Sequence, residues 1–270
     1  MGVWMLVYKD LKNNVRVNAE ERKYILQDTP TTLQETDVAM TQKLNHKPMK
    51  YTVWQCLRLP QTWGIFLAKF LTDGVWWFFL FWTPAYISDV YGFASDSVEA
   101  RIALLTLYSI TILAIFGSRL PTILHSRLGG NILNAPRMRG MLVFAAFPIL
   151  ALLAQPLGQL FYWNPIVIIG IVGAAHQSWS ANLYSVGSDL FPRESVATIT
   201  GINGLAGGQS VGLINLISGK LFRYTEVAQT CYVGFQGKAA GYFMVFSYCA
   251  VAYLVGWCML WLFTTRVKRP

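Results

Sequence analysis

Charged residues are scarce in this sequence, since aspartate, glutamate, lysine and arginine together fill only 13% of its 270 positions. A soluble globular domain carries about 25% of such residues. Hydrophobic residues make up 54% of the chain, and the mean hydropathy is +0.40. This composition excludes an ordinary soluble protein and indicates a chain that lies largely within a lipid bilayer.

Cysteine is also scarce, and the motifs of common enzyme classes are missing. The four cysteines show no CxxC spacing and three lie in or beside apolar runs, so neither a metal site nor a disulfide framework is indicated. We recognise no HExxH motif and no strand followed by a nucleophile elbow. The sequence therefore predicts a protein that is not an enzyme and that has no metal and no cofactor.

Six stretches are long and apolar enough to cross a bilayer as helices, which takes about 20 residues each. They are residues 62–89, 102–120, 140–158, 164–190, 195–220 and 240–264. The sequence thus predicts an all-α integral membrane protein with six transmembrane helices. We assign residues 61–270 to this transmembrane domain.

Residues 1–60 contain no stretch of this kind. Residues 18–28 are predicted to form a short amphipathic helix, with Asn18 as its N-cap and Glu21 three residues later. Residues 29–50 are rich in threonine and glutamine and are predicted to be a linker. We therefore expect no soluble domain in this segment.

The distribution of positive charge predicts the orientation of the helices. A net charge of +9 is found in nucleic-acid-binding proteins, but in an apolar chain it is typical of cytoplasmic loops. With six spans, one side of the membrane receives seventeen lysines and arginines and the other side four. Both termini are therefore predicted to be cytoplasmic, and no nucleic-acid partner is expected.

The first span contains a lysine and an aspartate at a depth where charges are costly. Lys69 and Asp73 are four residues apart, so they can pair on one helix face. Trp76 and Trp77 share that face. One interpretation is a cavity wall, in which a gating ion pair and indole rings meet a hydrophilic solute. The other is a structural ion pair beside packed or lipid-facing aromatic rings.

Polar side chains also cluster in the fourth and fifth spans. His176, Gln177, Ser180 and Tyr184 fall within about 100° of arc on one helix. Asn203 lies in a glycine-rich stretch of the next span. Polar groups in hydrocarbon require partners, so these residues are candidates for solute contact. Hydrogen bonds between helices are the alternative.

These stretches resemble part of a known transporter family. KFLTDGVWWFFLFWTPAYISDVYGF, residues 69–93, resembles the seventh helix of the anion:cation symporter branch of the major facilitator superfamily, and within it of the hexuronate transporters. GAAHQSWSANLYSVGSDLFPRESVATITGINGLAGG, residues 173–208, resembles the tenth and eleventh helices of that group. Residues 1–60 resemble the end of the sixth helix and the central cytoplasmic loop. Gly74 stands where the family pattern has proline.

The resemblance implies the C-terminal half of a major facilitator superfamily fold. It implies proton symport of a sugar-acid anion, glucuronate or galacturonate, by alternating access in a plasma membrane, typically a bacterial inner membrane. Trp76, Trp77, His176, Gln177, Ser180, Tyr184 and Asn203 are then candidate substrate contacts, and Lys69 with Asp73 a gating or structural pair.

The same resemblance implies a partner. In the family, the main anion-binding arginine and the proton-coupling carboxylates belong to an N-terminal six-helix half, which we expect this chain to lack. The chain is then a fragment or a truncated product that does not transport, or one part of a two-chain carrier for this or another carboxylate. A membrane-embedded enzyme that uses His176 and Asp73 is the remaining alternative.

Overall fold

The computed structural model describes residues 17–21, 51–94, 97–128 and 136–265. Residues 1–49 and 50–270 form two separate units. In the first unit, residues 19–21 are helical and the Glu21 amide donates to Oδ1 of Asn18 at 2.7 Å. This hydrogen bond confirms Asn18 as an N-cap. The rest of the predicted amphipathic helix and the predicted linker lie outside the described residues.

The second unit is helical apart from one short hairpin. Its elements are α1 (Val53–Arg58), α2 (Pro60–Tyr91), α3 (Val98–Thr111), α4 (Ala114–Gly117), α5 (Leu120–Leu128), α6 (Pro136–Ala146), a 3-10 turn (Phe147–Leu150), α7 (Ala151–Gly158), α8 (Trp163–Leu190), α9 (Arg193–Val227), β1 (Cys231–Tyr232), β2 (Phe235–Gln236) and α10 (Lys238–Thr265). The predicted all-α class is confirmed.

Within the described part of the chain, five helical segments are long and apolar enough to cross a membrane. They are Pro60–Tyr91, Val98–Leu124, Arg137–Gly158, Trp163–Leu190 and Lys238–Thr264. The remaining predicted span, residues 195–220, lies within α9, a helix of 35 residues. Its many glycines and amide side chains give this helix a low hydropathy, although it is long enough to span.

The helix α2 is the central element of the second unit. It begins at Pro60, where the fixed φ of proline suits a first helical position. It ends before Gly92, which adopts a left-handed φ of 73° that suits glycine. Its main neighbours are α9 and α10. Two polar contacts fix it to α9, because the Gly74 amide donates to Ser210 Oγ and Trp82 Nε1 donates to Asn215 Oδ1.

Aromatic rings from three helices fill the space at one end of α2. Phe78 and Tyr86 of α2 meet Phe222 of α9 and Tyr242 and Phe246 of α10, and all five are buried. The closest pair, Phe222 and Tyr242, has ring centroids 4.2 Å apart. This cluster packs α2, α9 and α10 against one another.

The second predicted span is interrupted. Turns separate α3 from α4 and α4 from α5, although the whole segment Val98–Leu124 is long and apolar enough to cross a membrane, as predicted. At these interruptions the Asn182 side chain of α8 donates to the Ser118 carbonyl at 3.3 Å. The Ser178 hydroxyl, which donates to the Ala174 carbonyl of α8 at 3.1 Å, lies 3.4 Å from the Ala114 carbonyl. Backbone groups in lipid require internal partners. The Ala114 carbonyl accepts the Ser118 amide at 2.9 Å, and Asn182 of α8 supplies a donor to the Ser118 carbonyl.

Candidate functional site

The ion pair of α2 lies inside the protein. Lys69 Nζ is 2.8 Å from Asp73 Oδ2, and the two side chains expose only 5% and 13% of their surface. The spacing of four residues places both groups one above the other on one face of the helix. Burial of either charge alone would be costly, and the pairing offsets much of that cost.

The surroundings of this pair come from two other helices. On α8, the Tyr184 ring lies under the ammonium group, with Lys69 Nζ 4.6 Å from the ring centroid. On α9, Gly207 packs directly against the Asp73 carboxylate, so that any side chain at this position would overlap with Asp73 Oδ2. Asn203 lies one turn earlier on the same face of α9 and is buried.

Two buried oxygen atoms at this place lack a hydrogen-bond donor. They are Oδ1 of Asp73 and Oδ1 of Asn203, and neither has a partner among the described residues. Buried polar atoms in native proteins are nearly always paired with protein groups or with water. The two oxygens therefore mark a place where water or a polar ligand can bind.

His176 is buried in a second polar cluster. Its Nδ1 lies 2.6 Å from the hydroxyl of Tyr253 on α10, and that hydroxyl donates to the Thr72 carbonyl at 3.2 Å. Because a hydroxyl has one hydrogen, we assign the Nδ1–H tautomer to His176, with Tyr253 as the acceptor. The Trp76 ring stacks on the imidazole at 5.5 Å with an angle of 6° between the planes.

Thr72 extends this cluster. Its Oγ1 accepts a hydrogen bond from Trp179 Nε1 at 3.1 Å and donates to the Ala68 carbonyl at 2.9 Å. The polar atoms around His176 are thus largely satisfied by three helices. His176 is held by its contacts with Tyr253 of α10 and Trp76 of α2.

The remaining predicted residues are more accessible. Gln177 and Tyr184 are exposed on α8, and Ser180 between them is half-buried. Their spacing of three to four residues places them on one stripe of the helix. Trp77 is exposed and stacks on Phe81 at 5.4 Å. The structure thus separates the adjacent tryptophans, since Trp76 packs on His176 whereas Trp77 faces outward.

Direct contacts therefore join the predicted residues into two groups. Lys69, Asp73 and Tyr184 form one group, and Trp76 with His176 forms the other. Sequence reasoning missed Thr72, Trp179 and Tyr253. The one available signal for Tyr253 was a phenol within an apolar span, because a buried tyrosine hydroxyl usually has a partner.

The geometry gives little support to catalysis by a serine nucleophile or to metal binding. Ser210 lies in a GxSxG pattern, Gly208–Gly212, but this segment is inside α9 and does not follow a strand. Its hydroxyl accepts the Gly74 amide at 3.0 Å. Among the described residues, no three histidine, cysteine or acidic side chains lie together as metal ligands would.

Comparison with known proteins gives three matches of interest. The profile of the Major Facilitator Superfamily matches residues 1–215. The hexuronate transporter of Escherichia coli (strain K12) is 27% identical over 270 residues, which cover 99% of this chain and 55% of the relative. The galacturonate transporter of Dickeya chrysanthemi is 32% identical over 135 residues, which cover 50% of this chain and 36% of the relative.

These matches cover only part of each relative. The chain spans about half the length of the E. coli relative and a smaller share of the Dickeya relative. No solved structure matches the chain. The matches nonetheless agree with the resemblance that the sequence suggested, and with the prediction that the chain is not an enzyme.

Proposed function

Because the chain belongs to the Major Facilitator Superfamily, we propose that it forms one six-helix wall of a carrier that moves hexuronate anions across a membrane. The observation that carries this proposal is the buried Lys69–Asp73 pair beside the polar stripe of α8. A charged pair within a membrane helix is costly and usually serves a solute pathway. The printed names of the relatives, hexuronate and galacturonate transporters, supply the class of solute.

The exposed polar residues are the proposed substrate contacts. Gln177 and Ser180 would hydrogen-bond sugar hydroxyls, and Trp77 would pack against the sugar ring. Tyr184, whose ring packs against the Lys69 ammonium group, would line the path of the solute. Half-buried Trp76 and the buried residues His176 and Asn203 would reach the solute in another conformation, or would position the exposed residues.

The finer features of transport also belong to this proposal. Proton symport with alternating access would couple the solute to a proton gradient, with the opposite wall supplied by an N-terminal six-helix half. The excess of lysine and arginine in the loops and tails assigned to one side supports cytoplasmic termini and multi-pass insertion in a bacterial inner membrane.

A half that inserts but does not transport is a second candidate. The chain spans about 55% of the E. coli relative, and a carrier of this type binds its solute between two halves. We propose that the chain requires a second half for activity, whether that half is encoded in the same chain or another. Under this hypothesis the chain produced alone inserts but takes up no hexuronate.

Uptake of radiolabelled galacturonate by a bacterial strain without hexuronate carriers tests both candidates. The chain is produced alone, or together with the part of the E. coli relative that the match does not cover. Saturable uptake that a protonophore abolishes supports symport. The absence of uptake in both arms, with the chain present in the membrane, would reject the carrier proposal.

A matched pair of variants tests the substrate contacts in the same assay. Gln177→Ala removes an exposed amide from the α8 stripe, whereas Gln159→Ala removes an exposed amide outside the helices α7 and α8. We expect Gln177→Ala to weaken uptake by about tenfold, as the loss of one or two hydrogen bonds predicts, and Gln159→Ala to leave it unchanged. Equal uptake by the two variants at all galacturonate concentrations would reject Gln177 as a contact.

A further inference from the structure

The ammonium group of Lys69 has unused hydrogen-bonding capacity. A lysine ammonium carries three hydrogens, and Asp73 Oδ2 is the one acceptor that the described residues offer it. On another side it meets the face of the Tyr184 ring. A ring face attracts a cation less strongly than a charge-assisted hydrogen bond to a carboxylate does. A second carboxylate in the place of the ring would therefore bind Lys69 more strongly than Tyr184 does.

Lys69 is unusual among the basic residues of this protein. Among the residues whose burial the structure describes, it is the least exposed lysine or arginine, with 5% of its side chain exposed against 11% for Arg137, which pairs with Asp189. It is the tenth residue of α2, so it lies roughly 14 Å from the start of this helix. An anionic solute in the membrane needs a cation to offset its loss of hydration, and Lys69 is the cation that this depth provides.

The Tyr184 ring covers one side of the Lys69 ammonium group. This side chain is 41% exposed, and its hydroxyl makes no hydrogen bond to the described residues. The ring thus has one face toward the ammonium, while about two-fifths of the residue's surface is accessible from the outside. Rotation of one exposed side chain would open a path to Lys69 without a change in the packed core.

We infer that Lys69 binds the carboxylate of the transported sugar acid and that the Tyr184 ring is the lid over this site. This inference rests on the proposed function and adds the group that recognises the charge of the solute. When Tyr184 swings away, the solute carboxylate takes its place and Lys69 bridges two carboxylates, its own Asp73 and that of the solute. Ser180 lies about one turn, or roughly 6 Å, along α8 from Tyr184, so it would meet the sugar hydroxyls.

The rate at which Lys69 reacts with a water-soluble amine-reactive ester tests this inference directly. Membranes that contain the full chain are treated with the ester, and the modification of each lysine is followed by mass spectrometry. Exposed Lys220 serves as an internal standard. Tyr184→Ala removes the lid and Tyr184→Phe keeps the ring. The control Tyr224→Ala removes an exposed tyrosine near the C-terminal end of α9.

We expect Lys69 to react at least fivefold faster in Tyr184→Ala than in the unaltered chain. Tyr184→Phe and Tyr224→Ala should behave as the unaltered chain does. Galacturonate should slow the reaction of Lys69 in Tyr184→Ala, because its carboxylate covers the ammonium, whereas uncharged galactose should not. An equal rate for Lys69 with and without the Tyr184 ring would overturn the lid.

Two measurements distinguish this inference from the proposed function. They are the protection of Lys69 by galacturonate and the uptake of galacturonate. Uptake of galacturonate without protection of Lys69 would overturn the anion site and leave the carrier proposal standing. Protection of Lys69 without uptake by either arm of the transport assay would support the anion site and count against transport. Equal protection by galactose would overturn recognition of the carboxylate.

Discussion

Gly207 is the position at which a single methyl group should disrupt the ion pair of α2. A Cβ there would overlap with Asp73 Oδ2, the same oxygen that Lys69 holds at 2.8 Å. The Asp73 side chain is short and buried between α2 and α9, so it has little room to retreat. Gly207→Ala must therefore push the carboxylate away from Lys69 or push the two helices apart.

Two opposing terms set the size of the effect. Replacement of glycine by alanine within a helix stabilises it by about 1 kcal/mol. Loss of one partner from a buried ion pair costs about 3–5 kcal/mol. If the carboxylate is fully displaced, the net loss in the free energy of unfolding is about 2–4 kcal/mol.

Gly208 offers a matched control on the same helix. A Cβ at Gly208 meets no atom within 4 Å, so Gly208→Ala should leave stability unchanged or raise it by up to about 1 kcal/mol. Both variants are purified in mild detergent and unfolded by denaturant titration. Equal stability of Gly207→Ala and Gly208→Ala would refute the close contact between Gly207 and Asp73.

Two further substitutions compare buried with partly exposed polar contacts by the same titration. Tyr253→Phe leaves buried His176 Nδ1 without its partner, and we expect the free energy of unfolding to fall by about 1–3 kcal/mol. A fall as small as that of Tyr224→Phe on the surface of α9 would contradict the assigned hydrogen bond. Lys238→Met removes the ion pair with Asp89, which is 2.9 Å long and has side chains 32% and 25% exposed. Because water screens such pairs, we expect this change to cost less than about 1 kcal/mol. A loss above that of Tyr253→Phe would contradict this and show that the pair is a major restraint between α2 and α10.

The membrane helices could be predicted from sequence because each requires an apolar run of fixed length. Predicted spans 62–89, 164–190 and 240–264 differ from helices α2, α8 and α10 by only a few residues at each end. The interruptions of the second span could not be predicted in this way. Hydropathy reports the solvent around a segment and carries no information about the turns after α3 and α4, which lie where Ser178 and Asn182 of α8 contact the backbone of Ala114 and Ser118.

The candidate site was predictable only within single helices. Helical spacing predicts that Lys69 can reach Asp73, and the structure contains that pair. Spacing within one helix carries no information about the neighbouring helix. The contact of Lys69 with Tyr184 and that of His176 with Tyr253 join residues more than 70 positions apart. Such contacts depend on how the helices pack against one another.

The adjacent tryptophans show that helical spacing also fails to separate neighbouring residues on one face. A helical wheel places Trp76 and Trp77 about 100° apart, which is close enough to assign both to one broad face. Packing against α8 divides that face, since Trp76 stacks on His176 and Trp77 is exposed. Helical spacing can therefore assign two residues to one face, but it cannot tell which of them points into the protein and which points outward.

Access of water to the α8 stripe is the most direct measure of whether this chain forms the wall of a solute pathway. Gln177→Cys is placed in a chain whose exposed cysteines, Cys231 and Cys258, are replaced by serine, and intact membranes are treated with a charged thiol reagent. Leu153→Cys, exposed on the apolar helix α7, is the control that we expect to face lipid. The account predicts that Cys at position 177 reacts, that galacturonate slows the reaction, and that Cys at position 153 stays unmodified. An unreactive Cys at position 177, in membranes where the chain is correctly inserted, would contradict it.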